Sequence, residues 1–313
     1  MAIGNCIMDP EIIPLGSGDI TPRPPVKAIG IGGAGHNILK DCFLDKVALC
    51  TSRDAFVDPT VPAYQLDDSD VQFLNSITPE LIGTLNHASL DKICRLISDM
   101  EMVSVFSGLG GETGSRITPL TSYACKKSTA LAVSSVAIPF SAEGQARKRQ
   151  SATALPTIVK HSHITISYPN DGLLKLAPDL PLQSALKVMN FFMTKPILDM
   201  AGIITKDDVS TIKTNLNRSH MRVGIGRGGG TWGEEAAIQE ALTSPWFDFD
   251  LYNVKRALMI ISAPKADEYT FKNVMKYLSP KIPHSKILYW AVPTQDDNAE
   301  SEVTLLLDCS NQQ

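Results

Sequence analysis

Short apolar runs recur along this chain, several ending in glycine, and most are followed by a segment with apolar residues three and four apart. Val26–Gly33 (VKAIGIGG) reads as a buried strand entering a turn, and Ala34–Leu44 as the helix after it. Lys46–Ser52 reads as a second strand, Pro79–Met100 as a helix, and Glu101–Gly111 as a strand that again ends in glycines. Thr118–Thr129 is helical in pattern, while Thr129–Phe140 and His163–Pro169 are strands. Strands alternating with helices predict an α/β fold with a parallel sheet covered on both faces. Pro181–Pro196 predicts a helix closed by its proline. Beyond about Asp208 the pattern restarts on a smaller scale. Met221–Gly230, Val254–Pro264, Ser285–Pro293 and Glu302–Cys309 read as strands, and Gly233–Pro245 and Glu268–Ser279 as helices. This predicts a second, smaller α/β domain. Residues 1–25, rich in proline and glycine and ending TPRPP, read as an arm before the first strand.

Composition narrows the partners. Hydrophobic residues make up 43% and charged residues 20%, as in a soluble globular protein. A net charge of −4 offers no global attraction to nucleic acid or to an acidic membrane surface. No apolar run approaches the roughly 18 residues needed to cross a bilayer, and no secretory leader is visible, so a cytoplasmic location is expected. Six widely spaced cysteines without a CxxC pair read as reduced structural thiols. His161 and His163 share one face if KHSHITISY is a strand. Two readings stand for them, the start of a metal site or a packed pair.

Two glycine loops carry the chemistry. Gly30–Gly35 (GIGGAG) satisfies G-x-G-x-x-G between a strand and a helix, where main-chain N–H groups and the helix dipole favour a phosphate. Alone it fits a Rossmann-like dinucleotide site, with Asp54 about where a ribose-binding acid belongs. Ser107–Pro119 (SGLGGETGSRITP) repeats the strand–glycine–helix arrangement. Two anion-binding helix ends from one sheet suit a protein that grips one nucleoside triphosphate from both sides.

Taken together, these segments resemble the tubulin/FtsZ superfamily, on the FtsZ side. IGIGGAGHN is similar to its first phosphate loop, GGETGSRITP to its GGGTGTGAAP signature, and PFSAEGQAR to its PFxFEGxxR segment. ISYPNDGLL, SALKVMN and the stretch from Met221 to Asp248 match further family segments, so the likeness spans roughly Val26 to Asp308. The resemblance implies a Rossmann-like GTP-binding domain at 26–180 and a central helix with its following loop at 181–207. It places a C-terminal α/β domain at 208–313, behind the arm at 1–25. GTP or GDP is the implied ligand, with or without magnesium. The implied phosphate contacts are Gly32, Gly33, Ala34 and Asn37 from the first loop, and Gly110, Gly111, Glu112, Thr113, Gly114 and Ser115 from the second. Glu143 falls at the ribose and Arg147 near the phosphates. Asn170 and Asn190 contact the base, on which Leu186 packs. The implied partner is the chain itself, in a head-to-tail filament, or another FtsZ-like protein.

Departures from the family pattern bear on turnover. Glu112 and Arg116 replace signature glycines; the glutamate brings a restricting Cβ and a carboxylate that repels phosphate, and Arg116 offers it a counter-charge. Cys50 and Ser52 stand for an Asn and an Asp of the family. No counterpart of the glycine-rich γ-phosphate sensor lies between Tyr64 and Ser98. In the family, one subunit completes its neighbour's hydrolytic site with spaced acids from an NxDFxD-type loop. Here the stretch after Pro196 reads ILDMAGIITKDDV, with Asp207 and Asp208 adjacent and Asp199 out of register. These carboxylates act in trans if at all, and Asp207 and Asp208 read first as a pair at a helix N-terminus. Nucleotide binding with weak or absent hydrolysis, in the service of division, cell shape or membrane remodelling, is therefore expected. A dynamic GTPase using Asp199, Asp207 or Asp208, and a nucleotide-independent regulator of a true FtsZ, stand as alternatives. No membrane segment or membrane-recruiting tail peptide is visible.

Overall fold

The computed structural model describes residues 10–16, 23–51, 54, 58–66, 88–294 and 300–310. The chain forms two compact units, Ile20–His220 and a smaller one made of Met1–Asp19 with Met221–Gln313. Strands are numbered β1–β11 and helices α1–α9 in chain order. The first strand, β1 (Glu11–Pro14), belongs to the smaller unit. The first strand thus precedes Val26, where the apolar pattern starts: four residues with mostly exposed side chains carry no apolar run to reveal them.

In the larger unit, β2 (Val26–Ile31) leads into α1 (Gly32–Leu39), followed by β3 (Asp45–Cys50) and β4 (Ala63–Gln65). Helix α2 (Ala88–Leu96) precedes β5 (Met102–Gly108), α3 (Glu112–Lys127), β6 (Leu131–Ile138), α4 (Gln145–His161) and β7 (Ile164–Pro169). The strands pair in the order β4-β3-β2-β5-β6-β7, every pair parallel. Both faces of the central strands are buried, which is why β5 and β6 read as near-continuous apolar runs. Ile29, Val103, Val105, Ile117, Leu120 and Ala132 anchor one core cluster, and Val136, Ile158 and Leu109 a second. Each large aliphatic side chain so buried stabilises the unit by about 2 kcal/mol.

After α5 (Asp171–Leu176), helix α6 runs from Leu182 to Ile203. It does not close at Pro196. A proline leaves the carbonyl four residues earlier without its helical N–H, and here the Tyr168 hydroxyl donates to that Phe192 carbonyl at 3.0 Å. The tertiary contact replaces the missing bond and the helix continues. Consequently Ile197–Ile203, expected in a loop, is helical, and α7 (Lys206–Asn215) begins two residues after Ile204.

In the smaller unit, β8 (Ser219–Gly228), α8 (Gly233–Leu242), β9 (Arg256–Ala263), α9 (Glu268–Leu278), β10 (Lys286–Pro293) and β11 (Ser301–Asp308) follow. β1, β10 and β9 are parallel, and β11 inserts antiparallel between β9 and β8. Ile238, Val254, Met259, Ile261, Val274 and Leu305 centre its core.

His161 and His163 do not share a strand face. His161 ends α4, where its ring stands edge-on to Tyr123 at 5.2 Å. His163 is buried and its Nδ1 accepts the Ala132 N–H at 3.0 Å, so it must be neutral there. Burial first, then the charges of Lys126 and Lys213, pulls its pKa down to about 4 from an ordinary 6.5. The folded state therefore binds fewer protons than the unfolded chain between these values, and stability falls as pH drops from about 6.5 towards 4. The loss expected from this one residue reaches about 3 kcal/mol. Urea unfolding at pH 7 and pH 5 should show about 2 kcal/mol of it. In His163→Gln, whose amide oxygen accepts the same N–H without titrating, the slope should shrink.

Candidate functional site

Strands β2 and β5 lie side by side in register, Ile31 opposite Ser107, and each is followed by a helix. The N-termini of α1 and α3 therefore emerge next to each other at the same sheet edge. Neither is closed by a side chain: the residues before them, Ile31 and Gly111, make no side-chain cap hydrogen bond. First-turn amides left this way carry a partial positive charge and accept an anion. By contrast, the Thr205 and Asp267 side chains cap α7 and α9. Gly32 sits at φ 64°, a conformation L side chains rarely adopt, and so lets β2 turn directly into α1.

Both helix ends open on a cavity of about 700 Å³. Gly32, Gly33, Ala34 and Asn37 line it on one side, and Gly111, Glu112, Thr113 and Gly114 on another. Glu143, Arg147, Asn170, Leu186 and Asn190 complete the walls. Five separated sequence segments thus meet in one space. Gly110 and Ser115 stand behind this lining and brace the loop, the Gly110 N–H donating to Ser115 Oγ at 2.8 Å.

The charged groups are arranged in pairs. Arg147 donates to Glu143 at 2.5 Å, and the other Glu143 oxygen accepts the Phe140 N–H at 2.7 Å. Arg116 meets Glu112 at 3.4 Å across one turn of α3. Glu112 is the first residue of that helix, so the glutamate sits in ordinary helical backbone and the restriction expected of its Cβ is not felt. The second half of the glycine signature is helix rather than loop, since α3 starts at Glu112 and runs through Pro119.

Asp54 has a role here that spacing did not suggest. Its Oδ2 accepts the Thr51 N–H at 2.8 Å and the Thr51 hydroxyl at 3.1 Å, and both oxygens face the Thr113 hydroxyl at 3.1–3.2 Å. It ties the end of β3 to the first turn of α3 and lines the cavity. Cys50 is buried, and burial, then the Asp54 charge, pushes its thiol up to about 11, so it is protonated. Ser52, and 67–87 within the expected sensor region, lie outside the described residues. Lys40, Asp41, Gln183 and Lys187 also line the cavity. The last two were legible in principle, because positions 183, 186, 187 and 190 share one helix face.

Two of the three acids in and after α6 are occupied. Asp208 is buried and forms a capping box with Thr205: its Oδ2 accepts the Thr205 N–H at 2.9 Å, and the Asp208 N–H donates to Thr205 Oγ1 at 3.2 Å. Asp199 lies within α6, bound to Lys195 at 2.5 Å and 2.6 Å. Asp207 is exposed in the first turn of α7.

Two arrangements in this cavity suit a nucleotide. Uncapped helix ends offer amides to phosphates, and Asn170 presents a fully buried Oδ1 with no hydrogen-bond partner in the same cavity. A buried polar atom of this kind calls for a donor.

Comparison with known proteins agrees. The family model "Tubulin/FtsZ family, GTPase domain" matches residues 78–178. The "Cell division protein FtsZ" of Methanothermobacter thermautotrophicus is 30% identical over 293 residues, covering 88% of this chain and 76% of that protein. The chain belongs to the tubulin/FtsZ family. Among solved structures, an empty FtsZ dimer from M. jannaschii matches this FtsZ-like chain with a TM-score of 0.73 at 24% identity, covering 93% of this chain and 89% of that one. A GTPγS-bound protofilament of CetZ2 from Haloferax volcanii matches with a TM-score of 0.71 at 15% identity, covering 92% and 95%, and shares the fold. Family membership removes the dinucleotide-site reading of GIGGAG. Among the described residues, no helix is long and apolar enough to cross a membrane.

Proposed function

We propose that this FtsZ-like chain holds a guanine nucleotide in the cavity between α1 and α3, assembles head to tail with copies of itself, and turns the nucleotide over slowly or not at all. The observation that carries the binding step is the convergence of two uncapped helix N-termini on one cavity. In this reading the amides of Gly32–Ala34 and Gly111–Gly114 take the phosphates, with Asn37 and Arg147 beside them, while Gly110 and Ser115 brace the loop from behind. Glu143 takes the ribose, Leu186 packs on the base, and Asn170 and Asn190 read its edge. Residues 26–180 then form the nucleotide domain, 181–207 the central helix and its loop, and 208–313 the C-terminal domain, behind the arm at 1–25. A magnesium ion bound with the phosphates would offset part of their charge, and Asp54 and Glu112 are the carboxylates placed to face it.

Slow turnover follows from the occupied acids. Positioning a water needs a carboxylate free to accept its proton, a contribution of about 10²–10⁴ in rate. Asp208 spends its carboxylate on a helix cap and Asp199 on Lys195. The exposed Asp207 keeps the dynamic GTPase as a second reading. Self-assembly is supported by the CetZ2 protofilament among the structural neighbours, and heterologous contacts between like subunits extend without closing. Such a filament would serve division, cell shape or membrane remodelling in the cytoplasm, alone or with another FtsZ-like protein.

The test is to denature purified protein, identify any released nucleotide, and follow phosphate release at rising protein concentration. Released GDP or GTP, or titrated binding with a Kd of about 1 μM or tighter, with flat background release, is expected. Neither retained nucleotide nor binding would overturn the reading. Release that rises with concentration and collapses in Asp207→Ala would replace it with the dynamic enzyme.

A further inference from the structure

Cations collect at the sheet edge away from the cavity. The strands of the larger unit run parallel, with the cavity at their C-terminal ends, so the helices that run back between them finish at the other edge. There α3 ends in Lys126 and Lys127, α4 in Lys160 and His161, and α7 carries Lys213 in its last turn. The Lys126 ammonium gathers three segments, donating to Asn217 Oδ1 at 2.7 Å, the Lys160 carbonyl at 3.3 Å and the Ser162 carbonyl at 3.4 Å. Lys213 donates to the Thr129 carbonyl. Helix C-termini account for these lysines, because the carbonyl end of a helix attracts positive charge.

Arg218 has no such account. It lies beyond α7, is exposed, and sits at φ 60°, the one non-glycine residue with positive φ among the described residues. That backbone is strained for an L side chain and relaxed for glycine. The neighbouring charges do not favour an arginine either. Burial, then the Arg218 charge, pulls the Lys126 ammonium down to about 8. Burial, then Lys160, Lys126 and Arg218, pulls His161 down to about 4, and no carboxylate acts on either group. A cation held in strained backbone against its neighbours' repulsion marks a functional position.

We propose that Arg218 anchors an anionic partner, and that this partner is the cavity edge of a second copy of the chain. Charge complementarity selects it. The net charge is −4 with these cations counted, so the rest of the chain is more acidic than that total. Among the described residues the cavity lining holds four carboxylates and three cations, and the phosphates of a bound nucleotide would make that edge firmly anionic. A basic edge and an anionic edge at opposite ends of one subunit attract in a heterologous contact, which repeats without closing. The inference rests on the head-to-tail reading and names what holds it.

Pelleting of the full chain with GTP, read as a critical concentration, tests this beside titration of N-methylanthraniloyl-labelled GDP. Arg218→Gly suits φ 60° and removes the charge, and is expected to raise the critical concentration about tenfold. Its melting temperature should hold or rise as the strain is relieved, and its GDP affinity should not move. Added salt should weaken assembly of the native chain more steeply than that of the variant. If Arg218→Gly fails to fold, Lys160→Gln, on ordinary helical backbone, decides by the same criterion. A critical concentration unchanged by the substitution would overturn the inference and leave head-to-tail assembly standing. A native chain that binds GDP but never pellets would overturn both. Phosphatidylglycerol vesicles test the other occupant: binding that is lost in Arg218→Gly while assembly stays unchanged would assign the patch to a membrane surface and overturn the second copy.

Discussion

Gly114→Ala is expected to weaken nucleotide binding by about a hundredfold and to destabilise the larger unit. An added Cβ would lie 2.0 Å from the Gly108 carbonyl oxygen and 2.9 Å from Ser107 Oγ. Neither atom can retreat, because Ser107 and Gly108 end β5, whose neighbours β2 and β6 are locked in register on both sides. Helix α3 must lift instead. Its Thr113 lies about one methyl contact from Gly32 and is bonded to Asp54, so lifting it pulls apart the two helix ends that frame the cavity. Overpacking of this severity costs about 3 kcal/mol. A shift near 1 Å in a positioning element weakens its function by about a hundredfold. Thermal melting and nucleotide titration read the two effects. Gly111→Ala is the control for stability: its Cβ would meet no protein atom within 4 Å and its φ is −92°, so the melting temperature should barely move. If Gly114→Ala binds as the native chain does, the close approach of α3 to β5 is not what shapes the site.

Asp308→Ala is expected to produce the largest loss in the smaller unit, without touching the nucleotide cavity. The Asp308 side chain is 2% exposed and its Oδ2 accepts Arg256 Nε at 2.6 Å. Its Oδ1 accepts the Ser310 N–H at 3.0 Å and also the Ser310 hydroxyl. Alanine removes the carboxylate facing a largely buried guanidinium, and breaking such a pair from one side costs about 3 kcal/mol or more. Asp308→Asn, which keeps an acceptor of the same shape, should lose less. Urea unfolding of the three proteins orders them, and equal midpoints for alanine and native chains would refute the account. Nucleotide affinity measured alongside is expected to stay unchanged.

The sheet of the larger unit was legible because a buried parallel strand needs apolar residues on both faces, so β5 and β6 show as runs that no helix period explains. The two glycine loops were legible for a related reason: main chain must approach main chain at Gly114 and turn sharply at Gly32, and only glycine permits either. Helix α6 was misjudged at Pro196 because the group that rescues it, the Tyr168 hydroxyl, is 28 positions away in the chain. Asp54 was assigned by spacing to a ribose, whereas its partners are Thr51 and Thr113. The β1 strand left no trace, because an exposed four-residue edge is held by ladder bonds and not by its side chains.

By itself the sequence determined the α/β class, the two glycine cradles and the residues that end in one cavity, since these depend on local backbone freedom and on periodic burial. Only the tertiary structure decided the state of the acids. Whether a carboxylate caps a helix like Asp208, pairs with a lysine like Asp199, braces two elements like Asp54 or meets an arginine one turn on like Glu112 depends on neighbours. A carboxylate's chemistry is set by what it faces, and what it faces is not written in its own stretch of chain.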